Sequence, residues 1–397
     1  MKAVLEDYLL EQSVWLRGRN RILLLALGGW VASLIGWIQQ PARFAVAYLI
    51  AYLFFLTIAL GGLFFVMVQH LSGAVWSLSS RRIAENVMGV LPAAALLFLP
   101  VALHLHHLYE WTHADVVAAD PALQAKQPYL NPAFFLARAT VYLLLWAALA
   151  RLLRGWSVSQ DRQSPAAWSA RKAIRWSAVG LPLTVITVTV AAFDWVMSLE
   201  PHWYSTVFGI YVYSGGAVAF VAVLVLLLLG LRRIGLLAEQ VHREHYHDYG
   251  KWLFGLLVFW AYIAFSQYML IWYANLPEET QWFRARTQGG WLPWAVLLAA
   301  GHFLLPFFAL VSRGAKRNLK WLAAVSAWML AMHYLDLYWQ ISPAFQRGGP
   351  AWHWLDAATL LAVGSALALA FWRQLRNAPL VPVGDPRLPR SLEFHNV

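Results

Sequence analysis

The sequence predicts an all-α integral membrane protein of ten transmembrane helices, and three observations lead there. Of the 397 residues, 60% are hydrophobic and only 12% are charged, with a mean hydropathy of +0.55. A soluble globule of that length needs more polar surface than this composition supplies. Apolar runs of roughly 20 residues, the length at which a helix spans about 30 Å of hydrocarbon, recur ten times. Finally, all but six of the 30 Lys and Arg residues fall in the amino terminus, the even-numbered loops and the carboxyl tail; the exceptions are Arg43, Lys126, Arg138, Arg284, Arg286 and Arg347. Such alternation is the mark of a polytopic chain whose basic loops stay on one side.

The runs lie near 21–39, 43–69, 84–109, 132–153, 176–199, 205–231, 251–275, 291–312, 320–342 and 353–372. They are long and continuous, whereas barrel strands are shorter and alternate polar with apolar residues, so helices are expected. Before the first run stand Glu6, Asp7, Glu11, Arg17 and Arg19 without a short apolar core and cleavage site. No removable signal peptide is therefore expected, and the mature chain should start near Met1. The third run ends in His104, His106, His107 and Glu110, with His104 and His107 on one face. At the outer interface their plainer role is solvation. The fourth run carries Arg138, a permanent cation able to offset a buried carboxylate.

The fifth run presents Thr184, Thr187, Asp194 and Ser198 within a sector of about 80°, a stripe roughly 21 Å long at 1.5 Å per residue. The sixth offers Tyr211, Tyr213 and Ser214 beside Gly215 and Gly216, the glycines being expected to permit close helix packing; the seventh offers Gln267, Tyr268, Tyr273 and Asn275, and the eighth His302. On the ninth, Ser326, His333, Asp336 and Gln340 again share about 80°, and the spacing of three lets His333 and Asp336 exchange a proton directly or through water.

Asp194 and Asp336 matter most. A carboxylate at bilayer depth costs several kcal/mol unless it is paired, hydrated or protonated, so it usually marks transport or proton chemistry. Both occupy one local frame: a hydroxyl ten positions earlier (Thr184, Ser326), a polar residue four later (Ser198, Gln340) and a proline seven later (Pro201, Pro343). Repetition of that frame after 142 positions (336 minus 194) points to an internal duplication. Hydroxyls such as Thr184 and Ser326 can also bond back to their own helix, and polar residues can act as interhelical glue, but glue does not call for ionisable groups in duplicate frames.

Composition narrows the chemistry further. With no cysteine, the chain cannot ligate zinc or iron–sulfur clusters through thiolates, form disulfides, use a catalytic thiol or attach a c-type haem covalently. Any redox centre is then non-covalent or held by a partner. The net charge of +11 is a topology signal that places both termini in the cytoplasm, with no aromatic-interleaved basic patch for nucleic acid. Tryptophans such as Trp111, Trp203, Trp272, Trp282, Trp291, Trp294, Trp339 and Trp352 gather on the opposite face as an interfacial belt. The longest connections, near 110–131, 154–175 and 232–250, suit surface helices or partner contacts rather than a soluble domain.

Three segments carry a family resemblance: Tyr129-Leu-Asn-Pro-Ala-Phe-Phe-Leu-Ala-Arg138, Phe193-Asp-Trp-Val-Met-Ser-Leu-Glu-Pro-His-Trp-Tyr204 and Phe265-Ser-Gln-Tyr-Met-Leu-Ile-Trp-Tyr-Ala-Asn-Leu-Pro-Glu-Glu279. With these, nearly the whole chain resembles the polysulfide-reductase membrane-subunit (NrfD-like) family, and within it the F subunits of alternative complex III, a bacterial quinol:electron acceptor oxidoreductase. The resemblance implies two four-helix bundles, over 43–199 and 205–342, flanked by the first and tenth helices. It also implies residence in a bacterial inner membrane beside a paralogous ten-helix C subunit, an iron–sulfur B subunit, multihaem c-type cytochromes and small membrane-anchored subunits, which hold the haem and iron–sulfur centres.

By that resemblance the chain contributes a proton path through Asp194, Arg138, Asp336 and His333, and the helix faces read above add Thr184, Thr187, Ser198, Ser326 and Gln340 as its lining. His104, His107, Glu110, Gln267 and Tyr268 are candidates for a quinone site or an outer proton exit; lipid is the other non-covalent ligand expected. No complete quinone motif is present. Two other classes stay open. His104, His107, His302 and His333 could ligate b-type haem, although they do not sort onto facing helices at two depths. A secondary transporter would share the repeat and the mid-membrane carboxylates, although the runs are not broken at matching positions.

Overall fold

A computed structural model describes residues 8–162 and 169–395, and among these every regular element is helical. Ten helices dominate: α1 (Gln12–Gln39), α2 (Pro41–Leu71), α3 (Leu78–Leu103), α4 (Pro132–Gln160), α5 (Arg171–Trp195), α6 (Phe208–Arg233), α7 (Arg243–Ala274), α8 (Gly289–Leu310), α9 (Leu319–Ile341) and α10 (Trp354–Arg376). Nine of them are long and apolar enough to cross a membrane, so the chain is an all-α, multi-pass membrane protein. The exception is α9: its 23 residues give about 35 Å of rise, but His333, Asp336 and Gln340 lower its hydropathy.

The helices follow the sequence runs with informative shifts. The third run was expected near 84–109, but α3 begins at Leu78, breaks before Leu91 and Leu99 where Pro92 and Pro100 restart it, and ends at Leu103. His104 is therefore the residue that closes α3, and His107 belongs to a separate turn, Leu105–Leu108. Within α8 a π-helical turn, Ala299–Leu304, carries His302. The connection near 110–131 holds short helices at Ala114–Ala119 and Pro121–Lys126; part of the one near 154–175 lies outside the described residues.

Packing centres on α2 and α6, which press against each other and gather α3, α5, α7, α9 and α10 around them. Their crossing has backbone in contact with backbone: a Cβ on Gly216 would lie 2.6 Å from Thr57 Cβ and 2.8 Å from its carbonyl oxygen, and one on Gly61 would lie 2.8 Å from the Gly216 oxygen. Helix α1 is mostly exposed and buries chiefly Trp15, Gly29, Ser33 and Gly36, a spacing of small residues that brings it close to α10. A Cβ on Gly29 would stand 2.6 Å from the Ala362 nitrogen. The segments before α1 and after α10 meet as well, with Leu380 N–H donating to the Tyr8 carbonyl at 3.0 Å.

The basic end of the molecule is tied by buried ion pairs. Arg82 reaches Asp161 at 2.8 Å and Glu85 at 3.0 Å, joining α3 to the end of α4. Asp385 of the carboxyl tail receives Arg81 at 3.3 Å and Arg387 at 2.9 Å.

Candidate functional site

Asp194 and Asp336 both lie near the end of a helix that passes into a 3-10 turn, Met197–Leu199 and Ser342–Ala344 respectively, so the duplicated sequence frame has a structural counterpart. Both carboxylates are buried. Their surroundings differ.

Asp194 is fully saturated. Arg138 grips it through two nitrogens, Nε to Oδ2 and Nη2 to Oδ1, each at 2.9 Å. Tyr129 donates to Oδ1 at 2.9 Å and Tyr142 to Oδ2 at 3.0 Å. The local sequence explains this assembly. Asn131 caps α4 by accepting from Phe134 N–H at 2.9 Å with Pro132 at the first helical position, which turns Tyr129 back over the guanidinium, 3.8 Å from its ring centre. Tyr142 lies one turn beyond Arg138, on the same face. Burial, then the Asp194 charge, pushes the Tyr129 phenol up to about 12, so it stays a donor. Bidentate geometry with two further donors describes a fixed ion pair.

Asp336 has only neutral partners. Tyr211 donates to Oδ1 at 2.5 Å and the Trp260 indole N–H to Oδ2 at 3.1 Å. His333 is one turn earlier, yet its Nε2 is bonded to Thr57 Oγ1 at 2.9 Å across the α2–α9 contact. Thr57 spends its own hydrogen on the Leu53 carbonyl at 2.8 Å, so Nε2 is the protonated nitrogen and Nδ1 carries the free lone pair. Nδ1 has no protein partner. It and Asp336 Oδ2 both border Gly215: a Cβ there would stand 3.0 Å from the first and 3.6 Å from the second. Gly215 thus serves this polar notch, while its neighbour Gly216 makes the close helix crossing expected of both.

The remaining candidates separate into groups. On α5, Thr187 accepts from Trp146 Nε1 at 2.9 Å, Ser198 donates to the Asp194 carbonyl beyond the helix end, and Thr184 Oγ1 is buried with no protein partner. On α9, Ser326 Oγ is likewise buried without a protein partner, while the Gln340 amide lies against Asp336 and the Tyr211 hydroxyl. His302 stacks on Trp260 at 3.8 Å, with both ring nitrogens unpaired. His104 Nδ1 donates to the Pro100 carbonyl at 2.8 Å and the ring packs on Trp37 and Phe44; burial lowers its pKa. His107 and Glu110 are exposed. The structure does not gather the five quinone-or-exit candidates into one place, because Gln267 and Tyr268 line a cavity of about 510 Å³ between α7, α8 and α9 that none of the other three touches.

Several functional-looking residues went unread in the sequence. Tyr142, Trp260 and Thr57 complete the two carboxylate environments, and Tyr211 was noted without its partner. Arg286 counted only as a loop charge, but it is buried; it bonds Glu200 at 2.5 Å and the Gln340 carbonyl at 2.6 Å, closing the end of α9. Burial lowers its pKa, and Glu200 opposes that. Among the described residues no group of three or more His, Asp or Glu is arranged to hold a metal ion. Compared with known proteins, the chain matches no family model and no curated sequence.

Proposed function

We propose that the chain is a proton-conducting membrane subunit of a quinol:electron acceptor oxidoreductase of the alternative complex III type. One observation carries this reading: two buried carboxylates in duplicate frames, one locked by arginine and one held only by neutral donors. A carboxyl group in a membrane helix with no cation beside it can take and release a proton, whereas an arginine-clamped carboxylate remains charged. Asp336 is the titrating element, His333 relays through its free Nδ1 past Gly215, and Ser326 and Gln340 extend the path along α9. Asp194 with Arg138 is the fixed, non-titrating counterpart on α5.

Ten crossings in two four-helix groups, α2–α5 and α6–α9, fit this reading. The hydrogen bond between Tyr8, just before α1, and Leu380, just after α10, supports an even number of crossings, ten when α9 is counted. The Lys and Arg distribution favours the cytoplasm for both segments. The paralogous C subunit, iron–sulfur B subunit, c-type cytochromes and small anchored subunits are the proposed partners, and electron transfer would belong to them.

The test is proton stoichiometry in proteoliposomes holding the whole complex. Asp336→Asn should assemble at normal yield but move fewer protons per electron. An unchanged ratio would overturn the proposal.

A further inference from the structure

A groove between α3, α4 and α10, toward the basic end of the molecule, joins two unlike surfaces. Its volume is about 410 Å³; Pro92, Ala93 and Leu96 of α3 form its apolar wall, and Arg151 and Arg154 of α4 with Gln374 of α10 form its polar one. The break in α3 opens it. Pro92 has no N–H to give the Met88 carbonyl, and the Ala93 N–H turns to the Val90 carbonyl at 2.9 Å. Beyond the break Leu96, Leu99 and Leu103 are exposed and lead away from the groove as an apolar strip at helical spacing.

The polar wall holds two arginines and no carboxylate. Arg154 donates Nε to the Asn86 side chain at 2.8 Å and Nη2 to the Gln374 carbonyl at 3.1 Å, which leaves Nη1 without a hydrogen bond among the described residues. Arg151 is exposed and has no ion pair among them. The acid whose charge reaches Arg154, Glu85, is already bonded to Arg81 at 3.1 Å and Arg82 at 3.0 Å. Gln374 Oε1 is buried with no protein partner and lies over Gly89, where a Cβ would stand 2.1 Å from it. At 1.5 Å per residue the two arginines stand about 29 and 33 Å along α4 from Pro132, where a hydrocarbon core of about 30 Å gives way to phosphates.

We propose that this groove holds an anionic phospholipid of the phosphatidylglycerol kind. Its phosphate accepts from Arg154 Nη1 and from Arg151, its glycerol hydroxyl donates to Gln374 Oε1, and an acyl chain lies along Leu96, Leu99 and Leu103. Charge complementarity selects it over a zwitterionic lipid, whose ammonium would find no carboxylate in the groove. None of the lining residues belongs to the proposed proton path, so the site does not depend on that reading.

The test is native mass spectrometry of the full-length chain, delipidated in detergent and titrated with dioleoyl lipids that differ only in headgroup. Phosphatidylglycerol should bind about 10- to 30-fold more tightly than phosphatidylcholine, each arginine contributing about 5-fold. Arg151→Gln should weaken phosphatidylglycerol about 5-fold and leave phosphatidylcholine unchanged, whereas Arg313→Gln, at an exposed arginine outside the groove, should change neither. Gln374→Leu should remove the preference for phosphatidylglycerol over phosphatidylmethanol, which has the charge and lacks the hydroxyl. Equal weakening by Arg151→Gln and Arg313→Gln would overturn the proposal in favour of diffuse surface attraction. Displacement of the lipid by inorganic phosphate would overturn it in favour of a soluble anion.

Discussion

Replacing each aspartate by asparagine tests whether the two carboxylates differ as their partners imply. In Asp194→Asn the amide nitrogen, whichever oxygen it replaces, must face two of the four donors now aimed at the carboxylate, one of them an Arg138 N–H. The guanidinium, about 9% exposed, then loses its counter-ion. Breaking a buried pair from one side costs about 3–5 kcal/mol, and slight exposure of Arg138 argues for the lower end. Roughly 3 kcal/mol is about a hundredfold in the folding equilibrium. In Asp336→Asn the Tyr211 hydroxyl can rotate to accept from the new amide while the Trp260 indole keeps its carbonyl, so the loss should be at most about 1 kcal/mol. Heating detergent-solubilised protein and measuring the monodisperse fraction by size exclusion would rank the two. A double change, Arg138→Met with Asp194→Leu, should recover at least half of the Asp194→Asn loss, since apolar replacement of a buried pair is often near neutral. Equal heat resistance of the two single variants would refute the distinction between a clamped and a free carboxylate.

Other outcomes follow from the same geometry. Gly216→Ala pushes a methyl into Thr57 and should lower folded yield by the equivalent of about 1–3 kcal/mol, while Gly230→Ala, with open space around it, should leave yield unchanged. Gly215→Ala places a methyl between His333 Nδ1 and Asp336 Oδ2 and should slow proton translocation in the complex; His333→Phe should shift the pH profile of turnover, and an unshifted profile would take His333 out of the path. For Asp385, burial raises the pKa, but the Arg387 hydrogen bond and the Arg81 and Arg387 charges outweigh it and hold the group below its usual 3.8. That stabilisation is therefore complete above pH 3.8 and is lost as the pH falls through the lower folded value. Asp385→Asn should mimic the acid form at neutral pH and expose the carboxyl tail to limited proteolysis.

Helix positions were legible because apolar runs of bilayer length leave few alternatives, and the Arg138–Asp194 proximity followed from one permanent cation and one carboxylate in adjacent spans. The partners of Asp336 and His333 were not legible. Tyr211, Trp260 and Thr57 come from three different helices, and no spacing within one helix encodes which faces meet. Periodicity placed His333 beside Asp336 and said nothing of Thr57, whose claim on Nε2 turns the ring's other nitrogen toward Gly215. The end of α3 was misjudged because apolar residues continue past Leu103, while Pro100 and the extended backbone at Tyr109 divide what composition joins. Arg286 shows the opposite limit: loop position suggests solvation, but a short helix folds it under Trp282.

The pairing of α1 with α10 carries a consequence for biosynthesis. Helix α1 has its most extensive contact with α10, and 337 residues (376 minus 39) must be added after Gln39 to complete α10 at Arg376. At about 5–20 residues per second, α1 waits on the order of 20–70 s in the bilayer with its Gly29–Ser33–Gly36 seam uncovered. During that interval the seam is open to any other helix with a small-residue face, including an α1 emerging from a neighbouring ribosome. Fidelity of membrane insertion for this chain is thus a race between translation and lateral encounter, and slowing elongation should favour the wrong partner.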